Sequence, residues 1–163
     1  MVALELFGQM QLGLIFPNQV TLASVLSACA TLVALQQGKE IHAYIIRFGY
    51  EFDISVSNAL VTMYSKCGNV EDAYKVFCKM LERDVVSWNA IIAGYAQNVD
   101  GENALKLFRQ MLVAGMKPNE FTFPSVVSGC ANLGALKEGK EVHAHVIISG
   151  FCSDTMLVFQ HLS

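Results

Sequence analysis

Between residues 70 and 80 the apolar positions fall at Val70, Ala73, Val76, Phe77 and Met80, the spacing of one face of an α-helix. Asn69 stands ahead of them as an N-cap, with Asp72 three residues on. Residues 100–111 repeat the arrangement, with Asp100 as the cap and Ala104, Leu107, Phe108 and Met111 on the apolar face. Each of these helices follows another of about three turns. Val56, Ala59, Leu60, Met63 and Tyr64 mark one, and Trp88, Ile91, Ile92 and Tyr95 mark the next. Gly68 closes the first, and Gln97-Asn98-Val99-Asp100 separates the second from its partner. Residues 19–53 and 120–154 carry a different hairpin. Their first helices run from Leu22 to about Ala30 and from Phe123 to about Ala131, and their second helices end at Gly49 and Gly150. The pattern predicts paired helices throughout.

These hairpins echo one another in a fixed register of 101 residues: Cys29, Gly38, Lys39, Glu40, His42 and Ala43 return as Cys130, Gly139, Lys140, Glu141, His143 and Ala144. Phe7, Met10, Pro17 and Asn18 return as Phe108, Met111, Pro118 and Asn119. A register that holds polar, apolar and glycine positions together marks stacked structural units. The period divides into units 19–53, 54–84, 85–119 and 120–154, with part of a unit at 1–18 and the start of another at 155–163. No single hairpin buries its own apolar face, so neighbours must supply a continuous core. The expected fold is all-α, an α-solenoid of antiparallel helix-turn-helix repeats. Gly38 and Gly139 fall in the first turns of helices, where glycine costs ~1 kcal/mol against alanine, so close helix approach is the expected reason for them.

Composition narrows the function. The chain is 53% hydrophobic and 15% charged with a net charge of -3, which makes no bulk electrostatic claim on nucleic acid. Its longest apolar runs are too short to span a bilayer, so no membrane partner is expected. The five cysteines are odd in number and sparse; Cys29 and Cys130 read as small buried hydrophobes in a reducing compartment. His42, His143 and His145 invite a metal, but His42 and His143 hold equivalent positions in separate units and read as packing residues. There is no nucleophile set against a base, no phosphate loop and no zinc-deaminase signature. The sequence therefore predicts no catalysis, no metal and no cofactor. Because Met1 opens inside a unit without a targeting leader, the chain is expected to be a piece of a longer array.

The unit lengths and the residues in them resemble the pentatricopeptide repeat family of plants, in its PLS subclass. Val85-Val86-Ser87-Trp88-Asn89-Ala90-Ile91-Ile92-Ala93-Gly94-Tyr95 through Gly115-Met116-Lys117-Pro118-Asn119 is similar to the 35-residue P motif. Ser57-Asn58-Ala59-Leu60-Val61, Met63-Tyr64-Ser65-Lys66-Cys67-Gly68 and Asp72-Ala73-Tyr74-Lys75-Val76-Phe77 resemble the 31-residue S motif. The two hairpins with Cys, Gly-Lys-Glu and His-Ala resemble L motifs. The resemblance implies a right-handed superhelix that binds single-stranded RNA at one nucleotide per repeat, read by one residue early in the first helix and by the last residue of the unit. Asn58 with Asp84 then implies a preference for U, and Asn89 with Asn119 a preference for C with U tolerated. Ser55 and Val86 match the position that packs on the base face. Ala23 with Asp53 and Pro124 with Asp154 lack a hydrogen-bonding first member and imply spacers, while Asn18 closes the partial first unit. Lys66, Lys75, Lys79, Arg83, Lys106, Arg109 and Lys117 form either a phosphate track or a solvated outer face, interleaved as they are with acidic residues.

The subclass implies a factor that specifies C-to-U editing sites in organellar transcripts, in mitochondrion or chloroplast. Editing-complex proteins would engage regions outside this chain, and no DNA partner is implied. Two other readings stay open: a protein-binding scaffold, and a truncated product with no function of its own. Asp53 and Asp84 also have a plainer reading as helix-cap or turn residues.

Overall fold

In the computed structural model, the structure describes residues 16–134 together with Glu5, Gly8, Gln9, Lys140, Val142 and His145. Across the described residues 16–134, seven α-helices follow one another: α1 (Gln19–Leu32), α2 (Leu35–Phe48), α3 (Ile54–Lys66), α4 (Val70–Lys79), α5 (Val85–Gln97), α6 (Gly101–Val113) and α7 (Thr122–Leu133). A short 3-10 turn, Tyr50–Phe52, joins α2 to α3. There is no strand among the described residues. The helices fall into two compact units, Met1–Arg83 and Asp84–Ser163.

In the first unit, α1 packs along α3 and α3 packs on its own partner α4. The faces that meet are the ones the periodicity marks. Leu22, Val25, Leu26 and Cys29 of α1 are buried, as are Val56, Leu60, Met63 and Tyr64 of α3 and Val70, Ala73, Val76 and Phe77 of α4. Only Ala59, expected on the α3 stripe, is half-buried. In the second unit, α5, α6 and α7 all pack on one another around Ile91, Ile92, Ala104, Leu107, Phe108, Met111 and Phe123. Side chains of this kind, fully withdrawn from water, contribute about 1.5–3 kcal/mol each. Helix-turn-helix hairpins with a shared apolar core are therefore the architecture, as the register required.

Helix ends follow local chemistry. Asn69 and Asp100 cap α4 and α6 as expected, accepting from the N–H of Asp72 and of Asn103. α1 begins three residues before the apolar stripe, because the Asn18 side chain accepts the Thr21 N–H and starts the helix there. α7 starts one residue early for a related reason, and Pro124 sits harmlessly in its first turn. Gly38 makes the close approach expected of it: a Cβ there would fall onto Met63 Sδ and within 2.6 Å of its Cε. Met63 is fully buried. Cys29 and Cys130 are buried thiols. Gly139, Gly150 and the rest of the second helix expected in 120–154 lie outside the described residues, apart from Lys140, Val142 and His145, as does 155–163.

Two junctions carry strain. Gly134 adopts φ 59°, and its counterpart one period earlier, Val33, adopts φ 53°. Likewise Gly68 has φ 75° and its counterpart Val99 has φ 62°. A β-branched residue in the left-handed region costs about 1–2 kcal/mol, whereas glycine enters it freely. Both valines are largely exposed, so little burial is lost on replacement. Val33→Gly and Val99→Gly should each stabilise the chain by about 1 kcal/mol, net of the greater chain entropy of glycine. Urea unfolding read by circular dichroism gives the measurement, and a loss of stability in either variant would contradict the strain.

Candidate nucleic-acid interface

Among the described residues, the last residue of each expected unit sits at the start of the next helix. Asp53 Oδ1 accepts the N–H groups of Ser55 (2.9 Å) and Val56 (3.0 Å) at the start of α3. Asp84 Oδ1 accepts the Ser87 N–H (2.8 Å) and the Ser87 hydroxyl (2.9 Å), while the Asp84 N–H donates to Ser87 Oγ (3.2 Å), a reciprocal capping box on α5. Asn18 Oδ1 takes the Thr21 N–H and hydroxyl, both at 2.9 Å. Asn119 Oδ1 accepts from the N–H groups of Phe121 (3.1 Å) and Thr122 (3.2 Å) on the turn entering α7. The capping role anticipated as the plainer reading of Asp53 and Asp84 is thus real. A side-chain oxygen committed to a helix start holds its residue in one rotamer, which is also what a base-reading residue requires.

The first-helix members lie one turn in. Asn89 is half-buried on α5, and its Nδ2 donates to Asn119 Oδ1 at 2.9 Å, thirty residues away in sequence. The two expected readers of the P-like unit therefore touch directly. Asn58 is half-buried on α3, and its carbonyl accepts the Thr62 hydroxyl. Asn58 and Asp84 belong to different compact units. Ala23 lines an open groove of about 540 Å³ with Gln19, Val20, Ser24, Ser27 and Ser55, so the expected base-packing Ser55 faces the same space as the expected spacer. Val86 is 58% exposed, and its counterparts Val20 (73%) and Phe121 (67%) are exposed as well. Three apolar side chains left in water at one repeat position mark a surface rather than a core. Val20 and Phe121 were not singled out from the sequence, although their register with Val86 was visible there. Asp154 lies outside the described residues.

Sequence reasoning also missed Thr122. It is fully buried, and its Oγ1 lies 2.6 Å from Asn89 Oδ1, 3.1 Å from Asn119 Oδ1 and 3.0 Å from the Asn119 nitrogen. Its hydroxyl has one proton to donate and accepts the Asn119 N–H. The signal that could have found it is the Asn-x-x-Thr spacing shared by Asn18 to Thr21 and Asn119 to Thr122.

The basic side chains divide. Lys75 donates to Asp72 at 2.8 Å. Arg83 closes the C-terminal end of α4, donating from Nε to the Phe77 carbonyl and from Nη2 to the Cys78 carbonyl, both at 2.9 Å, with its guanidinium over the Phe77 ring. Both residues are thus engaged within the first unit. Among the described residues no group of three or more His, Cys, Asp and Glu side chains could hold a metal ion, and no helix is long and apolar enough to cross a membrane.

His42 packs as expected: its Nδ1 lies 2.8 Å from the Tyr64 hydroxyl, with the rings edge to face. It lines a cavity of about 550 Å³ with Glu51, Tyr64, Asp72, Lys75 and Lys79. Burial lowers its pKa from 6.5, helped by Lys79 and opposed by Asp72 and Glu51, while burial pushes Tyr64 up to about 12.

Asp84→Ala should cost about 1 kcal/mol through loss of the cap, and Asp84→Asn far less; urea melts of the two variants compare them. For His42 the unfolded chain binds the proton more readily, so stability falls as pH drops below 6.5 and levels off beneath the folded pKa. Stability measured by urea unfolding should decline as pH falls through about 6.5, and His42→Gln should flatten that decline.

Profiles described as PPR repeat family and PPR repeat match residues 83–132 and 55–85. Pentatricopeptide repeat-containing protein At2g33680 of Arabidopsis thaliana is 44% identical over 137 residues, covering 84% of the chain and 19% of that protein. The Arabidopsis thaliana protein CRR2, chloroplastic, is 48% identical over 126 residues, covering 77% of the chain and 19% of its own length. At1g56690, mitochondrial, from the same plant, is 42% identical over 140 residues, covering 86% and 20%. The chain thus spans about one fifth of the length of these curated relatives. The crystal structure of the pentatricopeptide repeat protein PPR10 from maize superposes with a TM-score of 0.74 at 27% identity, over 88% of this chain and 21% of that one. PPR10 in complex with an 18-nt psaJ RNA element gives 0.75 at 26% identity, over 96% and 23%.

Proposed function

Because this chain belongs to the pentatricopeptide repeat family, we propose that its helical repeats bind single-stranded RNA, reading adjacent nucleotides through Asn58 with Asp84 and Asn89 with Asn119. The observation that carries the reading is the 2.9 Å bond from Asn89 to Asn119, which joins the two residues the repeat register pairs. The RNA-bound state of the similar PPR10 supports the ligand class.

The helix starts give a physical basis for base choice. In Asn119 the bonds to Phe121, Thr122 and Asn89 all fall on Oδ1, so Nδ2 is the group turned to a ligand. An N–H donor suits cytosine, whose N3 accepts. A carboxylate such as Asp84 offers only acceptors, which suits the N3–H of uracil. The proposed target is 5′-U-C/U-3′, with the units containing Ala23 and Pro124 as spacers and Ser55 and Val86 packing on base faces. Asp53 and Asn18 close their units in the same manner, and Asp154 holds the corresponding place in the sequence. At the net charge of -3, phosphate attraction is small and base contacts carry most of the affinity.

The PLS-like order of motifs extends the proposal to an organellar factor that specifies C-to-U editing sites. The chloroplastic and mitochondrial names of similar proteins support that location. The segment supplies recognition and no chemistry. Asn119→Asp should convert a preference for C at the second nucleotide into one for U by roughly tenfold, or about 1.4 kcal/mol. Affinities for short RNAs that differ at that nucleotide provide the measurement. An unchanged preference rejects the pairing of Asn89 with Asn119, and a chain that ignores RNA while binding a protein favours the scaffold.

A further inference from the structure

We propose that Thr122, the third residue of the following repeat, is a specificity-positioning residue for the base read by Asn89 and Asn119; this rests on the RNA-binding reading above. Thr122 is fully buried, and its hydroxyl oxygen lies 2.6 Å from Asn89 Oδ1. The same oxygen accepts the Asn119 N–H at 3.0 Å, and the Thr122 N–H returns to Asn119 Oδ1 at 3.2 Å. One side chain therefore holds both readers of the preceding unit. A side-chain amide can turn over by half a rotation, exchanging its donor and acceptor ends. The Thr122 proton pins Asn89 with Oδ1 inward, so that Nδ2 lies toward Asn119 and the ligand side. Without that proton either end can face a base, and cytosine and uracil become harder to tell apart.

The register supports a role tied to reading rather than to helix starting alone. The third residue bears a hydroxyl in every unit that follows an S-like or P-like unit: Thr21 after Asn18, Ser87 after Asp84, and Thr122 after Asn119. After the two L-like units the same place holds Val56 and Leu157. Those are the units whose first reading position is Ala23 or Pro124 and has no amide to orient. The Asp53 cap forms without a hydroxyl at that position, so α3 starts well enough with valine there. In the two cases whose first reading position lies within the chain, Asn58 and Asn89, the hydroxyl follows as Ser87 and Thr122.

The test uses the full chain and short single-stranded RNAs with C or U at the nucleotide assigned to Asn89 and Asn119, and U or C at the nucleotide before it. Thr122→Val keeps the shape and removes the hydroxyl. It should shrink the U-over-C ratio of dissociation constants at the second nucleotide at least fivefold and leave the discrimination at the first unchanged. Thr122→Ser should retain the wild-type ratio. Should the valine variant fail to fold by circular dichroism, Thr122→Ala reads the same loss with less crowding. A wild-type ratio in the folded hydroxyl-free variant overturns the proposal, as does an equal fall in affinity for every RNA. If the wild-type chain discriminates and the variant does too, only the role of Thr122 fails. If the wild-type chain binds none of these RNAs, the RNA-binding reading fails and takes this one with it.

Discussion

Each repeat in this chain depends on the side-chain oxygen that starts the next helix. The first N–H groups of a helix have no carbonyl above them, and leaving them unmet in a half-buried turn is costly. Asn18, Asp53, Asp84 and Asn119 meet that need at four successive unit ends. Once the oxygen is committed, the side chain has a fixed direction, and the helix that follows has a fixed origin. The packing of α1 on α3 and of α5 on α7 then sets the spacing of successive unit ends within each compact unit. Stability and display come from one set of bonds.

That economy supports the proposed reading of RNA by a segment with little charge. On the proposed reading, a surface with so little net charge gains little from counterion release, and discrimination rests on oriented amides and carboxylates. Such groups discriminate only when they cannot turn, and the structure shows them tied down from within. Asn89 and Asn119 are bonded to each other and to a buried hydroxyl before any ligand arrives. Within the second unit the exposed Val86 and Phe121 are apolar side chains at one repeat position, and Val20 holds the same position in the first.

Much of this was legible in the sequence because repetition samples each position more than once. The helices, their apolar faces and the caps at Asn69 and Asp100 followed from spacing alone, and Gly38 was rightly read as a close approach. The start of α1 was placed late, since apolar periodicity marks where a helix is buried and not where its hydrogen bonds begin. Thr122 escaped notice for a similar reason. A threonine between Phe121 and Phe123 looks like an unremarkable helix residue, and its importance lies in contacts made thirty-three positions away. The left-handed valines at 33 and 99 were invisible as well. Only comparison with Gly134 and Gly68 in the folded chain reveals them as ill-suited to their places.

The Asn119 side chain bears on where a repeat ends. Its oxygen serves α7, which belongs by sequence to the following unit, so the covalent boundary at 119 and the energetic boundary do not coincide. Anyone exchanging repeats as cassettes between such proteins would sever this bond by cutting after the last residue of a unit. A seam placed beyond Thr122 keeps the junction intact. The natural building block, for engineering as for inheritance by recombination, is a hairpin carrying the first turn of its neighbour.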